Sequence, residues 1–312
     1  MRIYVVDAWG KHWDEGVACL EAMGHKVTVG KYPEAEQIDA SGLVIFHPVE
    51  NGLVRASKSH ERNRETVVIA EAVDIDIYAG HLGGVNWEYV DHLVFMAQHM
   101  REYAEARHRL PAGLPRSVIP GGVDLERWTL RPEREPAFNV AWIGRMWVAK
   151  NVFAALQIFT ELVKRDPERP WHLHLRGGEE RWTPDWWERH CRYFMEQVPE
   201  LAGRVTIEPY VTDLNGWLDG MDFLLQTSYK EAFGYVVAQA AAKGIRPVIQ
   251  MTTGSNEIWP REWVFATHAE AVEMLLAPYE PSEVRSVIKA RYPIERRIER
   301  FLEIYERELG NR

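Results

Sequence analysis

The amino-acid sequence predicts an α/β protein with two doubly wound parallel sheets. Short apolar strands rich in Val and Ile alternate with helix-length segments, a pattern typical of parallel sheets that carry helices on both faces. A stretch rich in proline and charge, residues 130–136, interrupts the alternation, which then starts again. A chain of 312 residues is long enough for two domains of ordinary size, so we expect this stretch to separate them.

The amino-terminal domain is predicted to span residues 1–130. Helices are expected at residues 13–23, before Gly24, and at residues 99–107. The loop after the first strand lacks the three-glycine spacing of a dinucleotide site, so nicotinamide binding is not expected. The predicted strands of this domain are residues 2–7, 26–29, 43–46, 67–70, 92–96 and 117–119.

The second domain is predicted to span residues 131–292, with a closing helical segment at residues 293–312. Its strands are expected at residues 138–143, 171–176, 205–208, 222–226, 246–249 and 263–265. Its helices are expected at residues 151–165, 185–198, 213–219, 231–243, 268–276 and 281–291, and the last helix of the chain at 294–309.

The composition is typical of a globular protein, with 46% hydrophobic and 27% charged residues. The formal net charge of −9 argues against an extensive nucleic-acid surface, because such a surface needs a basic face. Cys19 and Cys191 have no metal-ligand spacing, so neither a disulfide framework nor a zinc site is expected. The cysteine pattern therefore predicts a reduced, cytoplasmic setting. No run of about 20 apolar residues occurs and the amino terminus leads directly into a strand, so we expect neither a transmembrane segment nor a signal peptide.

The segment that surrounds Glu231 is the most informative part of the sequence. It places this acid just before a predicted helix, where the carboxylate could accept hydrogen bonds from sugar hydroxyls. A helix start offers unpaired amides and a partial positive charge, which suit a diphosphate. The amides expected to face the phosphates belong to Phe233, Gly234 and Tyr235.

Gln239 lies further along the same predicted helix. It would stand roughly 12 Å from Glu231 if the intervening residues are helical, a separation that suits a ribose at the far end of a nucleotide sugar. The alternative is an ordinary amphipathic helix on a sheet, in which the helix dipole alone favours Glu231.

A second informative segment follows the predicted strand at residues 138–143. Gly144 breaks the strand, and Arg145 and Lys150 then stand at its carboxyl end, where ligands bind in open α/β sheets. Arg offers a fixed fork of donors and Lys a mobile charge, a combination that suits a diphosphate. The alternative is a solvated surface loop.

Three motifs in this order resemble the carboxyl-terminal half of the family-four retaining glycosyltransferases, which belong to the glycosyl transferases group 1. They are Gly144-Arg145 with Lys150, Glu231-x-Phe-Gly234 and Gly254-Ser-Asn-Glu257-Ile. The segment Val118-Ile-Pro-Gly-Gly-Val-Asp124 is similar to that family's domain junction, with Gly121 in place of the usual Asn. The chain departs from the family at Gln239, where the second of two paired acids is usual.

The resemblance implies a glycosyltransferase B fold, in which two Rossmann-like domains face each other across a cleft. It also implies that the last helix packs back on the first domain. The expected donor is a UDP-, GDP- or ADP-linked sugar and the expected acceptor an unidentified hydroxyl. Gly10, in the first loop, is the candidate that closes over the donor diphosphate.

We expect no metal and no cofactor beyond the nucleotide sugar, because Arg145, Lys150 and the helix start before Tyr235 are expected to meet the charge of the leaving diphosphate. Contacts to the nucleobase are expected from the loops after residues 171–176 and 205–208. The residues proposed there are Arg176, Gly177, Tyr210 and Val211.

Members of the resembled family place a His at the end of a strand in the first domain. The matching strand of this chain, which begins at Val67, contains no His. Besides Glu231, the candidates for a catalytic residue that takes the place of this His are His81 and Asp74, with Glu71 and His47 as further possibilities.

The resemblance therefore predicts a retaining, metal-independent glycosyltransferase. Two alternatives remain open from the sequence. One is a sugar-nucleotide epimerase on the same fold, which needs no acceptor. The other is a catalytically silent, nucleotide-sugar-binding scaffold subunit, suggested by Gln239 and by the missing His.

Overall fold

The computed structural model describes residues 1–177, 185–209 and 212–311. The chain divides into two compact units, one formed by Met1–Asp124 with Tyr292–Arg312 and the other by Leu125–Arg291. The boundary after Asp124 precedes the predicted boundary after residue 130. Arg285 accounts for this difference, because its guanidinium donates hydrogen bonds to carbonyls of residues 125 and 128 and holds this stretch in the second unit.

The first unit contains a parallel six-stranded sheet. Its strands are β1 (Arg2–Asp7), β2 (Lys26–Gly30), β3 (Leu43–His47), β4 (Val67–Ala72), β5 (His92–Phe95) and β6 (Arg116–Val118). They lie in the order β2-β1-β3-β4-β5-β6. The central strands β3 and β4 are buried along their whole length, because apolar side chains on both faces are covered by helices.

Five helices of this unit lie within Met1–Asp124, before the chain enters the second unit. They are α1 (Asp14–Ala22), α2 (Ala35–Asp39), α3 (Glu50–Ser59), α4 (Asp74–Tyr78) and α5 (Gln98–Arg107). Helices α2 and α4 are additional to the predicted ones, whereas a solvated helix was expected around Arg55 and Lys58, which lie in α3. The start of α3 depends on a distant residue, since the carboxylate of Asp76 accepts hydrogen bonds from the amides of Val49 and Glu50 at 3.0 and 2.8 Å.

The second unit contains another parallel six-stranded sheet. Its strands are β7 (Asn139–Ile143), β8 (His172–Arg176), β9 (Val205–Glu208), β10 (Phe223–Gln226), β11 (Arg246–Gln250) and β12 (Val264–Phe265). They lie in the order β12-β11-β10-β7-β8-β9.

The helices of the second unit flank this sheet. They are α6 (Val152–Arg165), α7 (Asp185–Gln197), α8 (Leu214–Leu218), α9 (Tyr235–Ala242), α10 (Ser255–Ile258), α11 (His268–Leu276) and α12 (Pro281–Arg291). Helix α9 begins later than the predicted start at residue 231. Gly234 adopts a left-handed conformation with φ of 82°, so the residues before it form a loop.

The last helix, α13 (Ile294–Gly310), belongs to the first unit. One face of this helix repeats apolar residues at helical spacing and packs into the core that also contains Trp13 and Leu20. The residues of that face are Ile294, Ile298, Phe301 and Ile304. Within the described ranges, no helix combines the length and the apolar composition needed to span a bilayer.

Each sheet reverses its strand order at one central position. The reversal falls between β1 and β3 in the first unit and between β7 and β10 in the second. Loops after the carboxyl ends of two such strands diverge to opposite faces, and this switch point is where ligands bind in open α/β sheets. The predicted fold class, with two Rossmann-like doubly wound domains, is confirmed.

Candidate functional site

The loop after β7 forms one side of the switch point in the second unit. Gly144 follows the strand, Arg145 is exposed, and the loop ends in a 3₁₀ turn at Val148–Lys150. Asn151 then adopts a left-handed conformation with φ of 51° and begins α6, where its side chain accepts a hydrogen bond from the amide of Ala154. This turn aims Lys150 at the loop that follows β10.

Lys150 and Glu231 form an ion pair at this switch point. The ammonium Nζ donates to Glu231 Oε2 at 2.8 Å, and the two side chains are 30% and 26% exposed. Gln226, the last residue of β10, donates from Nε2 to the same oxygen at 3.1 Å. The other oxygen, Oε1, accepts no hydrogen bond from the described part of the chain. The protein thus fixes one carboxylate oxygen of Glu231, whereas the other has no hydrogen-bond partner in the described part of the chain.

Thr227 holds the backbone that carries Lys150. Its buried hydroxyl accepts a hydrogen bond from the indole N–H of Trp142 at 3.0 Å. The same hydroxyl lies 3.1 and 2.8 Å from the carbonyl oxygens of Lys150 and Asn151, and its single proton is shared between them. Thr227 could not be selected from the sequence, because a threonine after a strand carries no signal of its distant partners.

The start of α9 lies beside the ion pair. A Cβ atom on Gly234 would lie 3.4 Å from both Gln226 Nε2 and Glu231 Cγ, and the left-handed backbone there favours glycine. The Phe233 side chain is buried against the rings of Tyr235 and Trp259, with centroid distances of 5.2 and 5.5 Å. The Phe233 side chain is therefore not accessible to a ligand, and the predicted use of its backbone amide stays a prediction.

Arg176 ends β8, and its guanidinium forms an ion pair with Glu208. It also lies 4.5 Å from the ring centroid of Trp217. The guanidinium is therefore anchored within the protein, and its proposed contact with a nucleobase stays a prediction. Tyr210 and Val211, proposed for the same contact, lie outside the described residues.

Gly177 packs directly against the loop after β7. A Cβ atom at this position would lie 1.8 Å from the carbonyl oxygen of Gly144, and φ is 150°. Because no other residue could occupy this space without moving one of the two loops, Gly177 keeps the ends of β7 and β8 close together.

Gln239 is half-buried on α9, and no hydrogen bond joins its carboxamide to another described residue. Its predicted contact with a ribose stays a prediction. Across the described ranges, no cluster of three or more His, Cys, Asp or Glu side chains is arranged to hold a metal ion. Lys150 contacts Glu231 directly, and Arg145 lies on the same loop as Lys150.

In the first unit, the loop that contains Gly10 is organised by Asp7 at the end of β1. One carboxylate oxygen accepts hydrogen bonds from the amides of Trp9 and Gly10 at 3.1 and 3.0 Å. The other accepts from the amides of His12 and Trp13 at 2.8 and 3.2 Å. Gly10 is exposed and has φ of 80°. Its amide donates to Asp7, and its predicted closure over a diphosphate stays a prediction.

The two catalytic candidates of the first unit lie on neighbouring turns. Asp74 begins α4, and His81 begins a 3₁₀ turn at His81–Gly84. The buried carboxylate of Asp76 lies 3.3 Å from His81 Nδ1. This hydrogen bond, with the charges of Asp76 and Glu50, raises the pKa of His81 against the opposing effect of burial. The catalytic roles of Asp74 and His81 stay predictions.

A buried network that the sequence analysis did not assemble surrounds Glu71 on β4. One oxygen of Glu71 contacts His47 Nδ1 at 2.8 Å and accepts from the Trp13 indole at 3.0 Å, and the other forms an ion pair with Arg297 of α13. Burial alone would raise the pKa of Glu71, but Arg297 and His47 outweigh it and lower the pKa to about 2. Glu71 is therefore ionised inside the protein.

Residues 137–284 match the model of the glycosyl transferases group 1. The matched residues all lie in the second unit, Leu125–Arg291. The matched stretch includes the Lys150–Glu231 pair, so the resemblance to the glycosyl transferases group 1 is confirmed for this part of the chain.

Two curated relatives share part of this stretch. The GDP-mannose:cellobiosyl-diphosphopolyprenol alpha-mannosyltransferase of Xanthomonas campestris is 26% identical over 133 residues, and its namesake from Xanthomonas oryzae pv. oryzae is 25% identical. Each match covers 42% of this chain and 33% of the relative, so the chain corresponds to about a third of their length.

Solved structures match a larger part of this chain than the curated relatives do. The structure of Anabaena Alr3699/HepE in complex with UDP-glucose matches with a TM-score of 0.71 at 16% identity, and the match covers 97% of this chain and 99% of the HepE chain. AviGT4, a glycosyltransferase involved in avilamycin A biosynthesis, has a TM-score of 0.67 at 16% identity, with coverages of 100% and 99%. TarM matches with a TM-score of 0.66 at 14% identity, and the match covers 84% of this chain and 54% of the TarM chain. At these identities the similarity shows the shared fold.

Proposed function

We propose that the protein is a glycosyltransferase that moves a sugar from a nucleotide-sugar donor to a hydroxyl acceptor. The observation that carries this proposal is the Lys150–Glu231 pair at the switch point of a glycosyl transferases group 1 domain. A cation and a partly available carboxylate at this position fit the two ends of a sugar diphosphate.

The chemistry assigned to these residues follows the charge that develops during transfer. The bond between the anomeric carbon and the diphosphate oxygen breaks, a bond to the acceptor oxygen forms, and the proton of the acceptor hydroxyl passes to the released nucleoside diphosphate. Lys150, Arg145 and the first amides of α9 stabilise the departing diphosphate. Glu231 Oε1 accepts hydrogen bonds from sugar hydroxyls and stabilises the electron-poor anomeric carbon.

We also propose that transfer retains the anomeric configuration and needs no metal. The motif resemblance supports retention, and the cations of the loop after β7 support metal independence. Transfer in EDTA should proceed at the rate seen without chelator, and NMR of the product should show the donor's anomeric configuration. Activity that EDTA abolishes and manganese restores would contradict the proposal, as would an inverted product.

The donor is expected among UDP-, GDP- and ADP-linked sugars. The Anabaena structure contains UDP-glucose, and the named Xanthomonas relatives use GDP-mannose, so both nucleotides belong in a first screen. A bound donor raises the melting temperature by mass action, and slow donor hydrolysis reports the bond that transfer breaks.

The decisive variant is Glu231→Gln, which keeps the size of the side chain and removes its charge. Turnover should fall strongly while the free nucleoside diphosphate still binds, because only the interaction with the sugar in the transition state is lost. Calorimetry with UDP and GDP, beside saturation kinetics, separates these effects. A variant that loses nucleotide affinity and keeps its turnover would show that Glu231 contacts the other end of the donor.

The same assays distinguish the alternatives. Conversion of a nucleotide sugar to its epimer without any acceptor would identify an epimerase. Nucleotide-sugar binding without hydrolysis or transfer would identify a scaffold subunit, the reading suggested by Gln239 in place of an acid.

A further inference from the structure

We propose that Trp147 and Tyr229 form a stacking site for a pyranose ring of a carbohydrate acceptor, beside the Lys150–Glu231 pair. The assignment to an acceptor rests on the proposed glycosyl transfer. The site itself lies within the second unit.

The two aromatic residues lie on the loops that flank the switch point of the second sheet. Trp147 follows β7 and Tyr229 follows β10, and the strand order reverses between these two strands. Trp147 directly precedes the 3₁₀ turn that ends with Lys150, and Tyr229 stands two residues before Glu231. Ligands of open α/β sheets bind where such loops diverge. The aromatic residues therefore lie next to the ion pair to which glycosyl transfer is assigned.

Backbone hydrogen bonds hold both aromatic residues against the same turn. The amide of Tyr229 donates to the carbonyl of Ala149 at 2.9 Å, and the carbonyl of Trp147 accepts from the amide of Lys150 at 2.9 Å. The residue that precedes each aromatic residue is buried. Both side chains are thus carried on a fixed backbone, so little backbone ordering is required when a ligand binds.

Both aromatic side chains are exposed, and their polar groups are unused. Trp147 is 44% exposed and Tyr229 is 57% exposed. Within the described residues, neither ring contacts another aromatic ring, and neither the indole N–H nor the phenolic hydroxyl forms a hydrogen bond. Trp9 of the first unit, at 38% exposure, instead donates its indole N–H to Glu50 at 2.9 Å. Trp147 and Tyr229 therefore offer apolar faces and free polar groups to a ligand.

The chemistry of these two side chains matches a pyranose ring. Such a ring has a face of C–H groups that packs on an aromatic ring, and hydroxyls that can bond to an indole N–H and to a phenolic hydroxyl. A hydrocarbon chain would instead cover both polar groups without giving them partners, which is costly. The nucleobase is predicted to contact the loops after β8 and β9, and these strands lie on the other side of β7 from β10, the strand that precedes Tyr229.

The exposure of the side chains across the site favours the acceptor over the donor. Lys150 and Glu231, to which the diphosphate and the donor sugar are assigned, are 30% and 26% exposed. The side chains of Trp147 and Tyr229 are more exposed than either. An acceptor that approaches a bound donor from solvent meets these outer side chains first. The stacked ring is therefore assigned to the acceptor.

Fluorine NMR tests the site without depending on turnover. In protein labelled with 5-fluorotryptophan, the resonance that is missing from Trp147→Phe belongs to Trp147, and Trp186 is assigned in the same way. The probes are methyl α-glucoside, methyl α-mannoside, cellobiose, cyclohexanol, UDP, GDP, UDP-glucose and GDP-mannose. We expect the Trp147 resonance to shift with at least one of the three glycosides, while Trp186, an exposed indole on α7, stays unchanged.

Each other outcome of this titration contradicts the proposal. A shift with cyclohexanol but with no glycoside would identify a general apolar surface. A shift with UDP or GDP but with no glycoside would identify stacking of the nucleobase. A shift that only the nucleotide sugars cause would identify the donor sugar and overturn the assignment to the acceptor. A Trp147 resonance that no probe moves would overturn the site.

Substitutions separate acceptor binding from donor chemistry. Each variant is assayed for donor hydrolysis, in which water replaces the acceptor, and for transfer to the glycoside that shifts Trp147. Trp147→Leu and Tyr229→Leu should each raise the KM for this glycoside about threefold to tenfold and keep the rate of donor hydrolysis. Tyr229→Phe keeps the ring and should recover most of the affinity. An unchanged KM in both Leu variants would overturn the site, and an equal fall in hydrolysis and transfer would assign the ring to the donor.

Tyr193→Leu is the matched control for Tyr229→Leu. Tyr193 lies on α7 and is 62% exposed, so its substitution should leave the KM for the glycoside at the native value. A rise in KM as large as that of Tyr229→Leu would show that the loss of any exposed tyrosine has this effect, and it would remove the support for the site.

The failures of this site and of the proposed function are distinguishable. If no donor is hydrolysed or transferred, glycosyl transfer is refuted. The sugar site then stands if a glycoside shifts Trp147 in the native chain and binds about threefold to tenfold more weakly to Tyr229→Leu. If transfer depends on Lys150 but the KM for the glycoside is the same with and without both aromatic side chains, glycosyl transfer stands and the site is refuted.

Discussion

The two units of this protein hold their charges in opposite ways. In the first unit, Glu71 is fully buried, and Arg297, whose side chain is 4% exposed, meets its charge. In the second unit, Lys150 and Glu231 are each about a quarter to a third exposed. Removing one partner of a buried pair leaves an uncompensated charge, whereas an exposed pair contributes little to stability. We therefore expect charge changes to damage the folding of the first unit and the activity of the second.

The largest effect is expected for Arg297→Met. The variant keeps much of the apolar stem but removes the partner of Glu71 and the hydrogen bonds to the carbonyls of Ile119 and Pro120. It should lower the free energy of unfolding by about 3–5 kcal/mol. Urea titration followed by tryptophan fluorescence would measure this loss.

Arg300→Met is the matched control on the same helix. Arg300 and Glu303 are both more than half exposed and 3.5 Å apart, so this change should stay within about 0.5 kcal/mol of the native chain. Equal effects of the two substitutions would remove the distinction between buried and exposed charge.

The next effect is a loss of stability in acid. The pKa of Glu71 is lowered from 4.5 to about 2 in the folded protein, so its stabilising contribution is present above about pH 4.5. That contribution, on the order of 3 kcal/mol at most, should be lost as the pH falls from about 4.5 towards 2. Urea midpoints measured across this range would show the decline. Because Arg297 is the main group that lowers this pKa, Arg297→Met should flatten the acid dependence, and an unchanged slope would contradict the assignment.

In the second unit the expected effect is kinetic. Lys150→Ala should lower turnover roughly a hundredfold, as expected for the loss of one preorganised charged donor, and change the free energy of unfolding by less than about 1 kcal/mol. Lys164→Ala, on α6 and 49% exposed, is the matched control and should keep native turnover. Native kinetics in the Lys150 variant would refute the phosphate-binding role.

The strands of both sheets could be predicted from the sequence, because short runs of Val, Ile and Leu are enough to locate a buried parallel strand. Residues 138–143, for example, were predicted and β7 spans Asn139–Ile143. Lys150 and Glu231 could also be selected in advance. Both follow strand ends, and the fold brings them to 2.8 Å although they are 81 residues apart in sequence.

The contact between Glu71 and Arg297 could not be predicted in this way. The two residues are 226 positions apart, and a charged residue on an amphipathic helix gives no sign that it will be buried. The start of α9 was also misplaced, because periodicity cannot show that Gly234 takes a left-handed conformation and turns residues 231–234 into a loop. His47 was noted as a strand end, but packing alone leaves its Nε2 without a hydrogen-bond partner in the described part of the chain.

The smallest effect is expected for substitutions of Gln239, which test how far along α9 the donor extends. Its carboxamide is half-buried and makes no hydrogen bond to another described residue, so its removal should leave stability nearly unchanged. If the Gln239 carboxamide binds a ribose, Gln239→Ala should lower the affinity for UDP or GDP and for the matching nucleotide sugar alike, about threefold to tenfold. Turnover at saturation should be kept. Gln239→Glu should tighten both ligands, because a carboxylate accepts a stronger hydrogen bond from a hydroxyl than an amide does. Calorimetry of the three proteins with the free nucleotide gives the comparison, and identical affinities would place the ribose elsewhere. Together with Lys150→Ala, this result would show whether the second unit binds the donor through the exposed charge alone or along the whole of α9.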